Sequence, residues 1–344
     1  MKSNFQHKPD FEALKQTLLG GDAGRVPLLE LAIDNGIKAK ILGRAIQGPQ
    51  DLVDFFAKAG YDYVRLTPKI DMNPGKAIPG EGYRRSVLAG DTEERSWHST
   101  GKGMITTLAD FEAFQFPRPE DIDYSAFEDV QNALPEGMKI IAQYGDIFTW
   151  TWHFMGFETF SYALVENPEL VQRVFDAIGS IEMKLFETMA DFDNVGAIFY
   201  SDDIAYHSGL MVSPVVFQSD LFPWMKKIGD LCKRKQIPFI YHTDGRIWEV
   251  MDDLKRCGVD ALQPLEPQAI DIREVKRRYG DKFCLAGNID VDILSRGTPK
   301  QIEAIARGLI EEIGRGGGYC LGSGNTVPNY VPVENYLAMI QAAF

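Results

Sequence analysis

Short apolar runs rich in β-formers alternate with helical stretches along most of this chain, and that alternation restricts the fold more than any other feature. The runs are 26–32 (VPLLELA), 61–67 (YDYVRLT), 139–144 (KIIAQY), 196–202 (GAIFYSD), 238–243 (PFIYHT), 260–265 (DALQPL), 282–287 (KFCLAG) and 318–323 (GYCLGS). Helical stretches separate them at Asp51–Ala59, 148–195, 246–256, 269–279 and 299–314. Strand–helix alternation gives a parallel sheet with helices outside it. Continuously apolar strands are those covered on both faces. Eight such units predict an α/β chain closed into a single (β/α)8 TIM barrel over residues 1–344. A doubly wound open sheet is the alternative, but no GxGxxG turn follows the first run.

Two regions interrupt the pattern. Residues 69–108 contain KIDMNPGKAIPGEGYRR and SWHSTGKGM. A loop this long inside a compact domain is usually functional or mobile. Its position after the second strand predicts a lid over the barrel mouth, with a decorative hairpin as the plainer alternative. Residues 148–195 read as two helices, Phe148–Val165 and a second starting at Asn167-Pro168.

Composition excludes some partners. Lys and Arg number 36 against 49 Asp and Glu, a net charge of −13. A nucleic-acid backbone binder needs a basic footprint, and so does docking on anionic lipid. Cys232, Cys257, Cys284 and Cys320 form no CxxC pair and read as buried, reduced thiols. With no apolar signal core or membrane-length run, a cytoplasmic protein is expected.

Barrel enzymes carry their chemistry at the C-terminal ends of strands. Those ends offer Glu30, Thr67, Tyr144 with Asp146, Asp202 with Asp203, His242 with Asp244, Glu266, Asn288 with Asp290, and Ser323 with Asn325. Acidic and neutral groups dominate, and no basic cluster is expected. Arg44, Lys76, Arg84 and Arg85 could approach from the lid or the first loop, but they read as solvated. The sharpest signal is YHTDG (241–245), where His242 and Asp244 sit two apart and share a face. Such a pair can hold a metal ion or act as an acid–base couple, or Asp244 can simply hold a buried histidine. Glu266, bracketed by prolines in QPLEP, is a ligand, a base or a helix cap. One aspartate of Asp202–Asp203 should face the axis and the other away. Phe148, Trp150, Trp152, Phe154 and Phe157 form either one wall of a pocket or ordinary helix packing. Glu30, Tyr144, Trp150, Asn288 and Ser323 are the candidate substrate-binding residues. No Ser-His-Asp or Cys-His arrangement stands out.

From Tyr200 onward the chain resembles the uroporphyrinogen decarboxylase superfamily. The blocks are YSDD, SPVVF, FPWMKKI, YHTDG, GVDALQPLEP, DIREVKRRYGDKFCLAGNID, GGGYCLGSGNTVP and VPVEN, in that order. The resemblance implies a (β/α)8 barrel and an enzyme of one of two kinds. Uroporphyrinogen decarboxylases carry an RQAGR segment after the first strand and an LGHG histidine at the last. This chain reads ELAIDNGIKAKILGR and Leu321-Gly322-Ser323-Gly324 there, so the namesake activity is not expected. The corrinoid-dependent methyltransferases of the superfamily bind zinc through an HxC pair and a further cysteine in the last loop. His242 with Asp244, and Asn325, stand at those places.

The resemblance therefore implies a metal-dependent methyltransferase that demethylates a small substrate onto a corrinoid protein. Its metal is zinc on His242, Asp244, Glu266 and Asn325, and Asp203, His242 and Tyr206 are its catalytic residues. A metal-free decarboxylase and a non-catalytic small-molecule-binding barrel are the alternatives, and a homodimer is left open.

Overall fold

The computed structural model describes residues 7–72 and 103–344. Among them lie nine strands: β1 (Tyr63–Leu66), β2 (Lys139–Gly145), β3 (Val195–Ser201), β4 (Ala205–Tyr206), β5 (Gly209–Leu210), β6 (Phe239–His242), β7 (Ala261–Gln263), β8 (Cys284–Ile289) and β9 (Tyr319–Ser323). Seven form one sheet in the order β1-β2-β3-β6-β7-β8-β9, with every neighbouring pair parallel. β4 and β5 form a small antiparallel hairpin.

The first expected strand, 26–32, makes only a short bridge. Leu28 pairs with Leu321 of β9 in parallel. The Leu29 N–H donates to the Leu321 carbonyl at 2.9 Å, and the Leu321 N–H to that of Pro27 at 2.8 Å. On the other side a side chain stands where a backbone ladder would run. The Tyr63 hydroxyl accepts from the Glu30 N–H at 2.9 Å and donates to the Glu30 carbonyl at 3.2 Å. One segment thus touches both outer strands of the sheet, and the sheet curls.

The sheet is dry because its strands are apolar on both faces; β3 is buried along its whole length. The Pro168–Ala190 helix shows how the outer layer is specified. The Asn167 side chain caps it by accepting the Leu170 N–H, and proline opens its first turn. Leu170, Val174, Ile178 and Leu185 then form a buried stripe at helical spacing. Each such side chain contributes about 1.5–3 kcal/mol when fully buried.

The 148–195 region holds three helices rather than the expected two: Ile147–Met155, Phe157–Glu166 and Pro168–Ala190. The additional break is Gly156, at φ 73°, a backbone conformation open to glycine and costly for other residues. The lid expected over 69–108 falls mostly outside the described residues, as do Lys76, Arg84 and Arg85. Arg44 is half exposed and lies between Asp51 and Asp54, as a solvated arginine should. No helix among the described residues is long and apolar enough to cross a membrane.

Candidate active site

Parallel strands place all their C-terminal ends at one end of the sheet, so residues far apart in sequence meet there. Register settles which ones. Ser201 pairs with His242, and His242 pairs with Gln263. Paired residues on neighbouring strands share a face. The His242 Nδ1 lies 2.6 Å from Oε1 of Gln263. The Gln263 Nε2 donates to the Asn325 carbonyl at 3.1 Å, which turns Oε1 toward the ring. Oε1 only accepts, so the ring proton sits on Nδ1 and Nε2 faces the other way.

Two carboxylates wait on the Nε2 side. Asp203 Oδ1 is 3.7 Å from it and Asp244 Oδ1 is 3.9 Å. One donor atom from each of Asp203, His242 and Asp244 lies within 4.8 Å of the others. Burial grades across the group: the side chains are 6% exposed for His242, 30% for Asp244 and 52% for Asp203. The Asp244 Oδ2 accepts from Asn325 Nδ2 at 2.6 Å, while its Oδ1 is buried and accepts no hydrogen bond. The Asp244 N–H donates to Asp203 Oδ1 at 2.9 Å. Burial pushes the Asp244 carboxyl up to about 7, the Asp203 charge adds to this, His242 opposes it, and Glu266 raises it further.

The supporting loops are tied together. The Thr243 hydroxyl accepts the Ile204 N–H and donates to the Asp244 carbonyl, each at 3.1 Å. Gly245 adopts φ 83°, and a Cβ there would sit 2.6 Å from the carbonyls of Ala205 and Tyr206. The Glu266 Oε2 accepts the Gly245 N–H at 3.1 Å. Glu266 is thus not one of the three clustered donors; it anchors the turn that carries Asp244. Asn325 likewise meets the site as an amide donor to Asp244.

The aspartate pair, just past Ser201 at the end of β3, divides between two sides. Asp203 joins His242. Asp202 is buried and accepts from the Phe148 N–H at 2.7 Å, the Thr149 N–H at 3.0 Å, the Thr149 hydroxyl at 2.8 Å and the Tyr200 hydroxyl at 2.7 Å. It caps the Ile147–Met155 helix, where orphan amides favour an anion. Burial still lifts its carboxyl to about 7 against those bonds. Asp146, at φ 81°, and Glu182 lie close by. Burial raises both well above the carboxylate range, and neighbouring acids add to it.

The remaining candidates are dispersed. Glu30 and Ser323 are 1% and 0% exposed and hold each other: Glu30 accepts the Ser323 N–H and hydroxyl, each at 2.6 Å. Burial raises the Glu30 carboxyl to about 8. Trp150 is buried and stacks on Phe154, with ring centroids 5.5 Å apart, and Phe148 packs against Phe160 and Phe217. Tyr144 is buried in β2. Asn288, at φ 119°, donates to the Leu265 carbonyl. Tyr206 is 54% exposed on the hairpin beside Gly245.

The expectation of no basic cluster is overturned. Lys38 and Arg65 are 3% and 8% exposed, and an Arg65 N–H donates to Oε1 of the fully buried Gln143. Sequence offered one signal for it, a lone charge inside the apolar run YVRL.

The sequence model of the family described as Uroporphyrinogen decarboxylase (URO-D) matches residues 100–343. This chain belongs to that family. A uroporphyrinogen decarboxylase of Nitrosomonas europaea is 32% identical over 139 residues, which are 39% of this chain and 38% of that protein. One from Pseudomonas fluorescens is 25% identical over 267 residues, 72% of either chain. Among solved structures, a methyltransferase from Methanosarcina mazei superposes with a TM-score of 0.70 at 18% identity, over 96% of this chain and 97% of that one. That likeness establishes the shared fold.

Proposed function

We propose that the curled sheet is a closed (β/α)8 barrel and that the chain is a metal-dependent methyltransferase, removing a methyl group from a small substrate in the cytoplasm. The observation that carries this reading is the Asp203–His242–Asp244 group. With Nδ1 engaged by Gln263, the His242 ring turns Nε2 toward the group, beside a buried Asp244 oxygen that accepts no hydrogen bond among the described residues. One nitrogen and two carboxylate donors fit a zinc site. When bound, zinc supplies a Lewis acid that eases departure of the heteroatom carrying the methyl group.

The protein's own residues orient and protonate. Gln263 fixes the ring of His242, and Asn325 fixes the carboxylate of Asp244. Glu266 holds the Gly245 turn between them. In this reading Asp203 and the exposed Tyr206 move a proton at the departing heteroatom. In this reading the methyl acceptor is a corrinoid on a separate protein that docks over the strand ends.

Elemental analysis of wild type beside His242→Ala tests the proposal. About one zinc per chain, lost in the variant, is expected. Folded protein with no metal in either sample sinks it, as does failure of the zinc-loaded enzyme to demethylate any methoxy or methylamine compound with a corrinoid protein present.

A second reading, decarboxylation without metal, draws support from the buried Lys38 and Arg65, which suit a substrate carboxylate. Activity that survives exhaustive chelation selects it.

A further inference from the structure

We propose that Lys38, Arg65 and Gln143 form a binding subsite for a carboxylate group of the substrate, set across the strand-end opening from His242. The inference rests on reading that opening as the reacting site and names its substrate class: a small carboxylic acid.

Placement comes first. Arg65 lies in β1 and Gln143 in β2, next to each other in the sheet. Lys38 lies in the Asn35–Leu42 helix, which starts just past the 28–33 segment. Parallel strands send their C-terminal ends, and the N-termini of the helices that follow, to one end of the sheet, and Lys38 lies in the first turns of its helix. All three residues therefore lie toward the end that carries Asp203, His242 and Asp244.

Charge is the second argument. A buried cation is costly unless a carboxylate pairs with it. Among the described residues, no carboxylate forms an ion pair with Lys38 or Arg65. Lys38 Nζ donates to Asn35 Oδ1 at 3.0 Å, a neutral acceptor. Asp34 is near enough to favour its charge, but Asp34 Oδ1 accepts the Gly36 N–H at 2.6 Å as a helix cap. Among the described residues, the neighbour that favours the Arg65 charge is Tyr63, a phenol. Burial, followed by the charge of Arg65, pulls Lys38 down to about 7. Among the described residues, two buried basic groups with no carboxylate hydrogen-bonded to either suit an arriving anion.

The donors point to the shape of that group. Gln143 takes an Arg65 N–H on its oxygen, and its Nε2 is buried with no hydrogen-bond partner. An arginine fork, an amide N–H and an ammonium together match the two oxygens of a carboxylate. The net charge of −13 gives no general reason for cations to gather here.

Thermal unfolding and calorimetry on the whole chain test the assignment. The probes are acetate, methoxyacetate and 3-methoxybenzoate, each beside its uncharged amide, with inorganic phosphate and chloride at matched ionic strength. At least one carboxylate should bind saturably and raise Tm while its amide does not. Lys38→Met and Arg65→Met should each weaken that binding at least tenfold. Without ligand, Lys38→Met should melt at or above wild type, because an unpaired buried charge is gone; a structural lysine would lower Tm. Lys38→Gln serves as a milder variant, and Arg65→Lys keeps the charge but loses the fork.

Equal effects of acid and amide, phosphate preferred over every carboxylate, no binding by any carboxylate, or full binding in both methionine variants overturns the assignment. Zinc content on the same samples separates the two claims. Zinc-loaded wild type that binds no carboxylate counts against the subsite only. Intact carboxylate binding without zinc counts against the metal only.

Discussion

The His242 ring donates from Nδ1 to the Gln263 side-chain oxygen 2.6 Å away, and this bond decides which ring nitrogen meets the carboxylates. Gln263 is thus a positioning residue. Gln263→Leu should leave the fold intact but free the ring to rotate and change tautomer. Zinc affinity should fall about 10–100-fold, the usual cost of losing a ligand's supporting partner. Competition with a chromogenic chelator measures this. Unchanged affinity would mean that strand packing alone orients the ring.

Asp244 gives the site a pH signature. Its folded carboxyl sits near 7 against 3.8 for an ordinary aspartate. The folded state therefore holds its proton more tightly than the unfolded one. That stabilisation is complete below the unfolded value and is lost as pH rises through about 7. Metal-free protein should lose stability between those limits, and Asp244→Asn should flatten that slope while weakening zinc at least tenfold. Unfolding curves across this range, on chelated protein, provide the check. A slope identical in wild type and variant would contradict the assignment.

At the seam between the first segment and β9, Glu30 and Ser323 make a second pH-dependent pair. Glu30 is raised to about 8, so it is a neutral acid at pH 7. Glu30→Gln should be near neutral there and more stable than wild type above pH 8, where the buried carboxyl must ionise. Ser323→Ala removes the hydroxyl donor to a buried oxygen and should cost about 1–3 kcal/mol. Denaturant melts at pH 7 and pH 9 test both variants. Ser323→Ala matching wild type would mean that the seam depends on backbone pairing alone.

Gly245→Ala should hit stability and metal binding together. It combines a φ of 83° with a Cβ 2.6 Å from two carbonyls of the β4–β5 hairpin. A loss of roughly 1–3 kcal/mol is expected from the strained backbone alone. The hairpin or the Asp244 turn must shift, so zinc should weaken as well. Wild-type Tm together with wild-type zinc affinity would show that the loops yield at no cost.

Much of this was legible before the structure. Seven of the eight expected strands form, because an apolar run between helices has few other ways to be buried. His242, Asp244 and Asp203 were legible as strand-end residues at the right period. The first strand was misread in its extent: a tyrosine hydroxyl from β1 takes the backbone groups of Glu30, which no local pattern encodes. Glu266 and Asn325 looked like ligands from type and position, yet each holds a neighbour through one hydrogen bond. Lys38 was invisible because a lysine in NGIKAKIL reads as a solvated helical cation. Its burial depends on how the Asn35–Leu42 helix packs against the Pro49–Lys58 and Val333–Gln341 helices.

Asp202 and Asp203 are consecutive residues, one capping a helix with four hydrogen bonds and the other facing His242. Two identical side chains with different work follow directly on Ser201, the last residue of β3, whose direction sets which side each takes. Gain or loss of a single residue within β3 would exchange them, sending the cap into the opening and the open carboxylate under the helix. Insertions that the surrounding loops absorb are thus barred from β3, and its length should be the most rigid dimension of this chain as its sequence drifts.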